Sequence, residues 1–125
     1  MRLQEVSKAV NNFRLQGFYC TKTSRELVFY GPELVGSLRI TAIDQIFVCA
    51  NTFESRNLID HPDETGELLD LIGDHVAAIE EWPSEAILEV LMASGVCIRL
   101  SGRGPGEYYE IHFEKGGETI ALIFG

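Results

Sequence analysis

Apolar and polar residues alternate with a period of two along most of this chain. In residues 37–41 (SLRIT) and 107–114 (EYYEIHFE), every second side chain is apolar, which predicts β-strands with one face on a core. Residues 46–49 form a continuous apolar run typical of a buried strand, and residues 119–124 (TIALIF) predict an apolar strand. Turn signals such as Ala93-Ser94-Gly95 separate these segments and favour antiparallel pairing.

Two segments have helical spacing instead. Leu3, Val6, Val10 and Phe13 recur at intervals of three and four, which predicts a short amphipathic helix at the N-terminus. Residues 62–72 predict a second helix, because a proline suits its first turn, acids lie near its N-terminal end, and Gly73 provides a stop signal after its leucines.

The expected class is therefore α+β, in one domain of 125 residues. We expect a curved antiparallel sheet or half-barrel of seven to eight short strands, with one or two helices packed against it. The tetrads Leu38-Arg39-Ile40-Thr41 and Ile98-Arg99-Leu100-Ser101 follow similar apolar segments, so two similar halves, near residues 13–49 and 69–113, are a further prediction. The alternative is chance self-similarity, which is common in strand-rich chains.

The net charge of −9 comes from one part of the chain. Residues 57–98 contain ten acids and neither lysine nor arginine, whereas the rest of the chain is close to neutral. An acidic protein is a poor direct ligand for nucleic acid or an anionic membrane, but it suits a basic protein partner. No apolar run approaches the roughly 20 residues of a membrane span, and the start of the chain lacks a signal-peptide core. We therefore expect a cytoplasmic protein.

Catalytic and metal-binding motifs are missing from the sequence. Cys20, Cys49 and Cys97 fit no metal or redox spacing, and the three histidines follow no recognised ligand pattern. The glycine-rich loop at residues 102–106 precedes a strand rather than a helix, so it does not predict a phosphate site. The strand face that carries Glu110 and His112 is more typical of a solvated surface than of an acid–base site. We predict no enzyme activity, no cofactor and no metal.

The acidic segment provides the candidate partner surface. Trp82 lies among its acids, either as a core residue or as an exposed aromatic anchor. The acids themselves are either a solvated helix face or a patch that attracts a cationic protein. The predicted partner-binding residues are Asp60, Asp63, Glu64, Glu67, Asp70, Asp74, Glu80, Glu81, Trp82 and Glu85.

The order of several short motifs resembles a known group of proteins. Residues 68–76 (LLDLIGDHV), 87–91 (ILEVL), 94–95 (SG), 97–100 (CIRL) and 108–111 (YYEI) are similar to segments of small bacterial immunity proteins of contact-dependent growth inhibition and related polymorphic toxin systems. The resemblance implies a non-enzymatic protein that binds and blocks a cognate toxin domain, often a basic nuclease.

Two questions stay open at this point. The alternative function is a small-ligand-binding or regulatory module that uses the concave face of the sheet. The chain is either a monomer or a homodimer, because residues 119–124 predict either a central strand or an edge strand that pairs with a second copy.

Overall fold

The computed structural model describes residues 1–125 and contains ten strands and two α-helices. The helices are α1 (Leu3–Ala9) and α2 (Gly66–Leu69). The strands are β1 (Arg14–Cys20), β2 (Arg25–Tyr30), β3 (Gly36–Ala42), β4 (Gln45–Ala50), β5 (Phe53–Glu54), β6 (Val76–Trp82), β7 (Ile87–Met92), β8 (Cys97–Ser101), β9 (Tyr109–Lys115) and β10 (Glu118–Phe124).

The strands form two antiparallel sheets of five strands each. Sheet 1 has the order β1-β2-β3-β9-β10, and sheet 2 has the order β6-β7-β8-β4-β5. Residues of both sheets join one core cluster of 26 buried residues, to which α1 adds Val6 and to which the residue after the helix, Val10, also belongs. Burial alternates strictly along β3 and β7, as the period-two pattern predicts.

The two sheets share one topology and one register. Each begins with three consecutive strands and is completed by a hairpin that comes from the other half of the chain, β9-β10 in sheet 1 and β4-β5 in sheet 2. Ile40 of β3 lies between Leu27 and Ile111. At the matching place in sheet 2, Leu100 lies between Leu88 and Ile46. The tetrads noted in the sequence thus occupy the central strands of the two sheets, whereas a duplication of the chain stays a prediction.

The α+β class is confirmed, but the details of the sheet differ from those expected. Ten strands in two sheets replace the expected seven to eight strands of one curved sheet or half-barrel, and neither sheet closes into a barrel. Only residues 43–44 separate β3 from β4, yet these strands belong to different sheets. Alternation along a strand reports which face is buried but not which sheet the strand joins, so the sequence pattern did not reveal this division.

The second predicted helix is much shorter than residues 62–72. A 3₁₀ turn at Pro62–Glu64 precedes α2, which has only four residues. Thr65 N–H bonds the carbonyl of Pro62 and Leu71 N–H bonds that of Leu68, both with the three-residue spacing of a 3₁₀ turn. Gly66 begins α2, and neither helical turn has a side-chain cap. The leucine pattern of this segment therefore buries Leu68 and Leu71 through a series of tight turns.

Candidate functional site

The acids of residues 57–98 do not form one continuous surface. One group lies in the connection between β5 and β6, from Asp60 to Asp74, and the other lies on β6 and the following turn, from Glu80 to Glu85. Glu89, on the outer face of sheet 2, lies directly opposite Glu80 in the β6–β7 register and pairs with Arg99 at 3.3 Å.

Arginines from outside the segment neutralise the beginning of the first group. Arg56 pairs with Glu64 at 2.6 Å and with Asp63 at 3.4 Å. These arginine contacts were missed because the acids were counted along the sequence, although Arg56 immediately precedes the acidic segment. Asp63 and Glu64 are thus less free to attract a partner than the sequence indicated.

Arg103 brings the glycine-rich loop onto the same region. Its guanidinium lies 2.7 Å from Asp44 and 3.3 Å from Asp60. The Arg103 backbone N–H also donates to Asp44 at 2.6 Å and, together with the guanidinium, it keeps the pKa of that carboxyl below its usual value even though burial raises it. The loop at residues 102–106 is therefore held by two carboxylates, and Asp60 is partly neutralised.

His61, Asp63 and Glu64 are the residues best placed to hold a metal ion. Their possible ligand atoms all lie within 4.8 Å of one another. Arg56 already contacts both carboxylates, so a cation at this place would compete with a guanidinium. The predicted absence of a metal site stays a prediction.

Asp74 has a structural role at the entrance to β6. Its carboxylate accepts a hydrogen bond from the His75 N–H at 2.8 Å and another from the Ser94 hydroxyl in the β7–β8 turn. Glu67 and Asp70, by contrast, have no ion pair or side-chain hydrogen bond. Two exposed apolar side chains accompany them, Leu69 at 57% and Ile72 at 45% exposure. The free part of the first group is therefore a mixed acidic and apolar surface.

The second group lies along the outer strand of sheet 2. Glu80 and Glu85 are exposed and have no ion pair, and Trp82 between them is 38% exposed. A shallow groove of about 590 Å³ runs between this strand and the start of α1, with Arg2 and Leu3 on one side and Glu80 and Trp82 on the other. Trp82 is thus positioned at a surface groove rather than in the core.

Glu81 differs from its neighbours because its side chain points inward. Its carboxylate accepts a hydrogen bond from the hydroxyl of Tyr109, which is 1% exposed. Burial and the Glu81 carboxylate both raise the pKa of Tyr109. Glu81 therefore fastens β6 to β9 in the other sheet and is not part of a free surface.

A separate polar network lies on the outer face of sheet 1, at the residues first considered for acid–base chemistry. Arg39 lies 3.1 Å from Glu114 and 3.8 Å from Glu26, and His112 lies 3.1 Å from Glu114. Glu110 lines a small surface depression of about 230 Å³ beside Arg39 and His112. The charges in this network are mutually paired, and the expectation that the chain is not an enzyme stays a prediction.

Comparison with protein-family models, with curated proteins and with solved structures gives no match for this chain. The resemblance to immunity proteins therefore rests on the sequence motifs alone. Neither helix of the structure has the length and apolar character required to span a bilayer.

Proposed function

We propose that this chain is a non-enzymatic inhibitor of the immunity type, which binds and neutralises a basic toxin domain, a nuclease, through acids that have no cation within the fold. The single observation that carries the proposal is the set of exposed, unpaired acids around Trp82 and α2. These acids are Asp70, Glu80 and Glu85, which are exposed, and Glu67, which is partly exposed.

Unpaired acids differ from paired ones in what they offer a partner. A carboxylate that already contacts arginine, such as Glu64, would have to exchange that contact for a new one. Glu80 and Glu85 gain an ion pair without losing one, so they add to attraction and to the rate of encounter. A nuclease toxin needs a cationic groove for its phosphate substrate, which makes it a suitable partner for such a surface.

Trp82 gives this surface an apolar centre. Tryptophan is enriched among the residues that dominate binding energy, and an exposed indole face also attracts the guanidinium of an arginine. Its 38% exposure leaves ring surface for such contacts beside Glu80. The proposed interface therefore combines an aromatic anchor with the acids of the second group, Glu80 and Glu85.

A small-ligand module stays the alternative function. The inner faces of both sheets are occupied by the core, so such a ligand would need a surface site. An apolar groove of about 420 Å³ between α1, the β2–β3 connection and Ile120 supports this alternative. It predicts that a metabolite raises the melting temperature, whereas the inhibitor proposal predicts a protein complex.

The test uses charge reversal with a matched control. The variant Glu67→Lys/Glu80→Lys removes one unpaired acid from each of the two groups, and Glu107→Lys/Glu118→Lys makes the same charge change at exposed acids elsewhere. Binding to the C-terminal region of the protein encoded immediately upstream is measured by calorimetry over a salt series. We expect the first variant to weaken binding at least about tenfold and to reduce its salt dependence, with little effect from the control.

Equal losses for both variants would mean that net charge alone drives association, and the proposed surface would be wrong. Absence of any complex between the wild-type chain and the upstream region would remove the inhibitor proposal altogether.

A further inference from the structure

Two of the three cysteines, which are far apart in the sequence, lie side by side in sheet 2. Cys49 is on β4 and Cys97 is on β8, and the antiparallel register places them directly opposite each other. Directly opposed residues direct their side chains to the same face of a sheet, so both thiols lie on the outer face, where both are partly exposed. Their spacing along the chain matches no motif, and only the register reveals the pair.

The backbone at this position fits the geometry of a disulfide. The Val48 N–H is directed away from β8, since Ser55 Oγ accepts it at 2.9 Å. The next residue, Cys49, therefore faces β8 and forms a hydrogen-bonded pair with Cys97, for which the Cα atoms are about 5.5 Å apart. A disulfide requires Cα atoms roughly 4.4–6.8 Å apart, so rotation of the two side chains brings the sulfurs within bonding distance.

The pair also lies where the two strands can adjust. Cys97 is the first residue of β8, and Cys49–Cys97 is the last pair of the β4–β8 ladder. Beyond it, the chain turns through Gly95 before β8, and β4 ends at Ala50. A small backbone shift there disturbs no further pair of this ladder, so the strain that a bridge between adjacent strands introduces can be relieved locally.

In the reduced chain, polar contacts surround the thiols without separating them. The Cys97 thiol donates to the Glu89 carboxylate at 2.9 Å, and Arg99 lies 3.3 Å from the same carboxylate. Burial raises the pKa of both thiols, and Glu89 raises that of Cys97 further. Because the thiolate is the form that reacts, oxidation of this pair should be slow compared with that of an activated thiol.

We propose that Cys49 and Cys97 form a reversible oxidation site, at which a small-molecule disulfide such as oxidised glutathione converts the two thiols into a disulfide. The Cys49 thiolate attacks one sulfur of the oxidant, so that a mixed disulfide forms at Cys49 and one glutathione leaves. The Cys97 thiolate then attacks the Cys49 sulfur and displaces the second glutathione. The protein gives up two electrons and two protons, and the oxidant takes them up as its S–S bond becomes two thiols.

The bridge would link the two halves of the chain covalently. The hairpin β4–β5 comes from the first half and completes sheet 2 beside strands of the second half. In the reduced chain, the β4–β8 ladder holds this hairpin, together with the ion pair of Arg99 and Glu54 at 3.6 Å. Exposed bridges are easier to reduce than buried ones, so the link is reversible. The inference does not depend on the proposed inhibitor function.

The test is incubation of the full chain in glutathione buffers of increasing oxidised fraction, followed by acid quenching, alkylation with N-ethylmaleimide and mass spectrometry. Samples are followed for a day, since uncatalysed exchange takes about minutes to hours. We expect two of the three alkylation sites to disappear together, with Cys49 and Cys97 peptides linked, and dithiothreitol to restore all three. The linked form should melt at a higher temperature than the reduced form.

Cys20 is the control within the same molecule, because it is exposed on β1 of the other sheet. In the folded chain, Cys49–Cys97 links should exceed links that contain Cys20 at least about tenfold. In concentrated urea, the shorter loop between Cys20 and Cys49 should be favoured instead. The variant Cys97→Ser should give glutathione adducts and no link between its two remaining thiols, with circular dichroism to verify its fold.

Three results would each overturn the proposal. The first is a wild-type chain that keeps three alkylatable thiols at the most oxidising ratio. The second is a folded chain in which links to Cys20 are as frequent as Cys49–Cys97 links, or a Cys97→Ser chain that links Cys20 to Cys49. The third is an unchanged preference for Cys49–Cys97 in concentrated urea, which would show that the register of sheet 2 does not select the pair.

Discussion

Sheet 1 and sheet 2 have the same strand order and register, but they end differently. In sheet 1, the last hairpin gives β10, a seven-residue strand with an open edge. In sheet 2, the corresponding β5 has only two residues. The chain then returns along β4, where Ser55 Oγ accepts from Val48 N–H and Asn57 Oδ1 accepts from Ile46 N–H. In sheet 2, two short polar side chains thus bond amides of β4, whose counterparts on β9 are paired by β10 in sheet 1.

The outer faces of the two sheets are also alike at the central strands and different elsewhere. Arg39 and Arg99 occupy matching positions on the central strands β3 and β8. Arg39 is paired with glutamates of the neighbouring strands β2 and β9, and Arg99 with glutamates of β7 and β5. Opposite Arg39 lies His112, whereas opposite Arg99 lies Phe47. The central strands of the two sheets therefore carry nearly the same side-chain arrangement, and the sheets differ mainly at their other strands.

The largest expected effects that test the similarity of the two sheets are in the core. Ile40 and Leu100 are both fully buried at matching places, so Ile40→Ala and Leu100→Ala should each lower the free energy of unfolding by about 2–5 kcal/mol, through lost apolar burial and the cavity left behind. If the sheets unfold as one unit, each variant shifts a single transition measured in urea by circular dichroism.

The control for the core variants is Ile43→Ala, which removes the same atoms from a side chain that is 40% exposed, with an expected loss of about 0.5 kcal/mol or less. Two separate transitions, or a loss confined to one of the core variants, would show that the shared register does not imply a shared core.

A smaller effect is expected where the sheets are fastened to each other. Tyr109→Phe removes the hydroxyl that donates to Glu81, and it should cost about 1–2 kcal/mol at neutral pH because the carboxylate loses its donor. The raised pKa of folded Tyr109 adds a pH dependence. Its stabilisation is fully present below the unfolded tyrosine pKa of about 10 and is lost as pH rises towards the folded value.

The phenylalanine variant should therefore lose less stability between about pH 10 and 11 than the wild-type chain does. Tyr19→Phe, at a side chain that is 67% exposed, is the matched control. Urea titrations at several pH values measure the free energy of unfolding of each variant and its dependence on pH. Identical pH slopes for Tyr109→Phe and the wild-type chain would show that the Tyr109–Glu81 pair does not contribute as we infer.

Local pattern was sufficient to predict most elements of this fold. The alternation in β3 and β9 and the helical spacing before Phe13 correspond to the strands and to α1. Pattern was insufficient for β5, whose two residues are too few to show a period, and for residues 62–72, where leucines at helical spacing are also compatible with successive tight turns. These elements depend on tertiary contacts that no local window contains.

The candidate surface was harder to predict than the fold. Counting charges along the chain identified the acids but not their partners, since Arg103 reaches Asp60 across 43 positions. Glu80 and Glu81 are adjacent in the sequence, yet the pleat of β6 directs the Glu81 side chain inward and the Glu80 side chain outward. The free acids became identifiable only once the ion pairs were known.

The smallest expected effect concerns the thiols, which again distinguish the sheets. Cys20 on β1 of sheet 1 is exposed, whereas Cys49 and Cys97 lie directly opposite each other on the outer face of sheet 2 and are partly buried. Burial raises the pKa of both buried thiols, and Glu89, which accepts a hydrogen bond from Cys97 at 2.9 Å, raises that of Cys97 further. Since the thiolate is the reactive form, iodoacetamide near pH 8 should label Cys20 at least about tenfold faster than the other two.

Peptide mass spectrometry measures the three labelling rates, and Glu89→Gln provides the matched change. Removing the carboxylate should accelerate labelling of Cys97 and leave Cys20 unaffected, because the negative charge that disfavours the Cys97 thiolate is gone while its burial is unchanged. Equal rates at Cys20 and Cys97 in the wild-type chain would mean that the outer face of sheet 2 opens readily. In that case its acids, including Glu80 on the edge strand β6, would not hold the fixed positions on which the proposed partner surface depends.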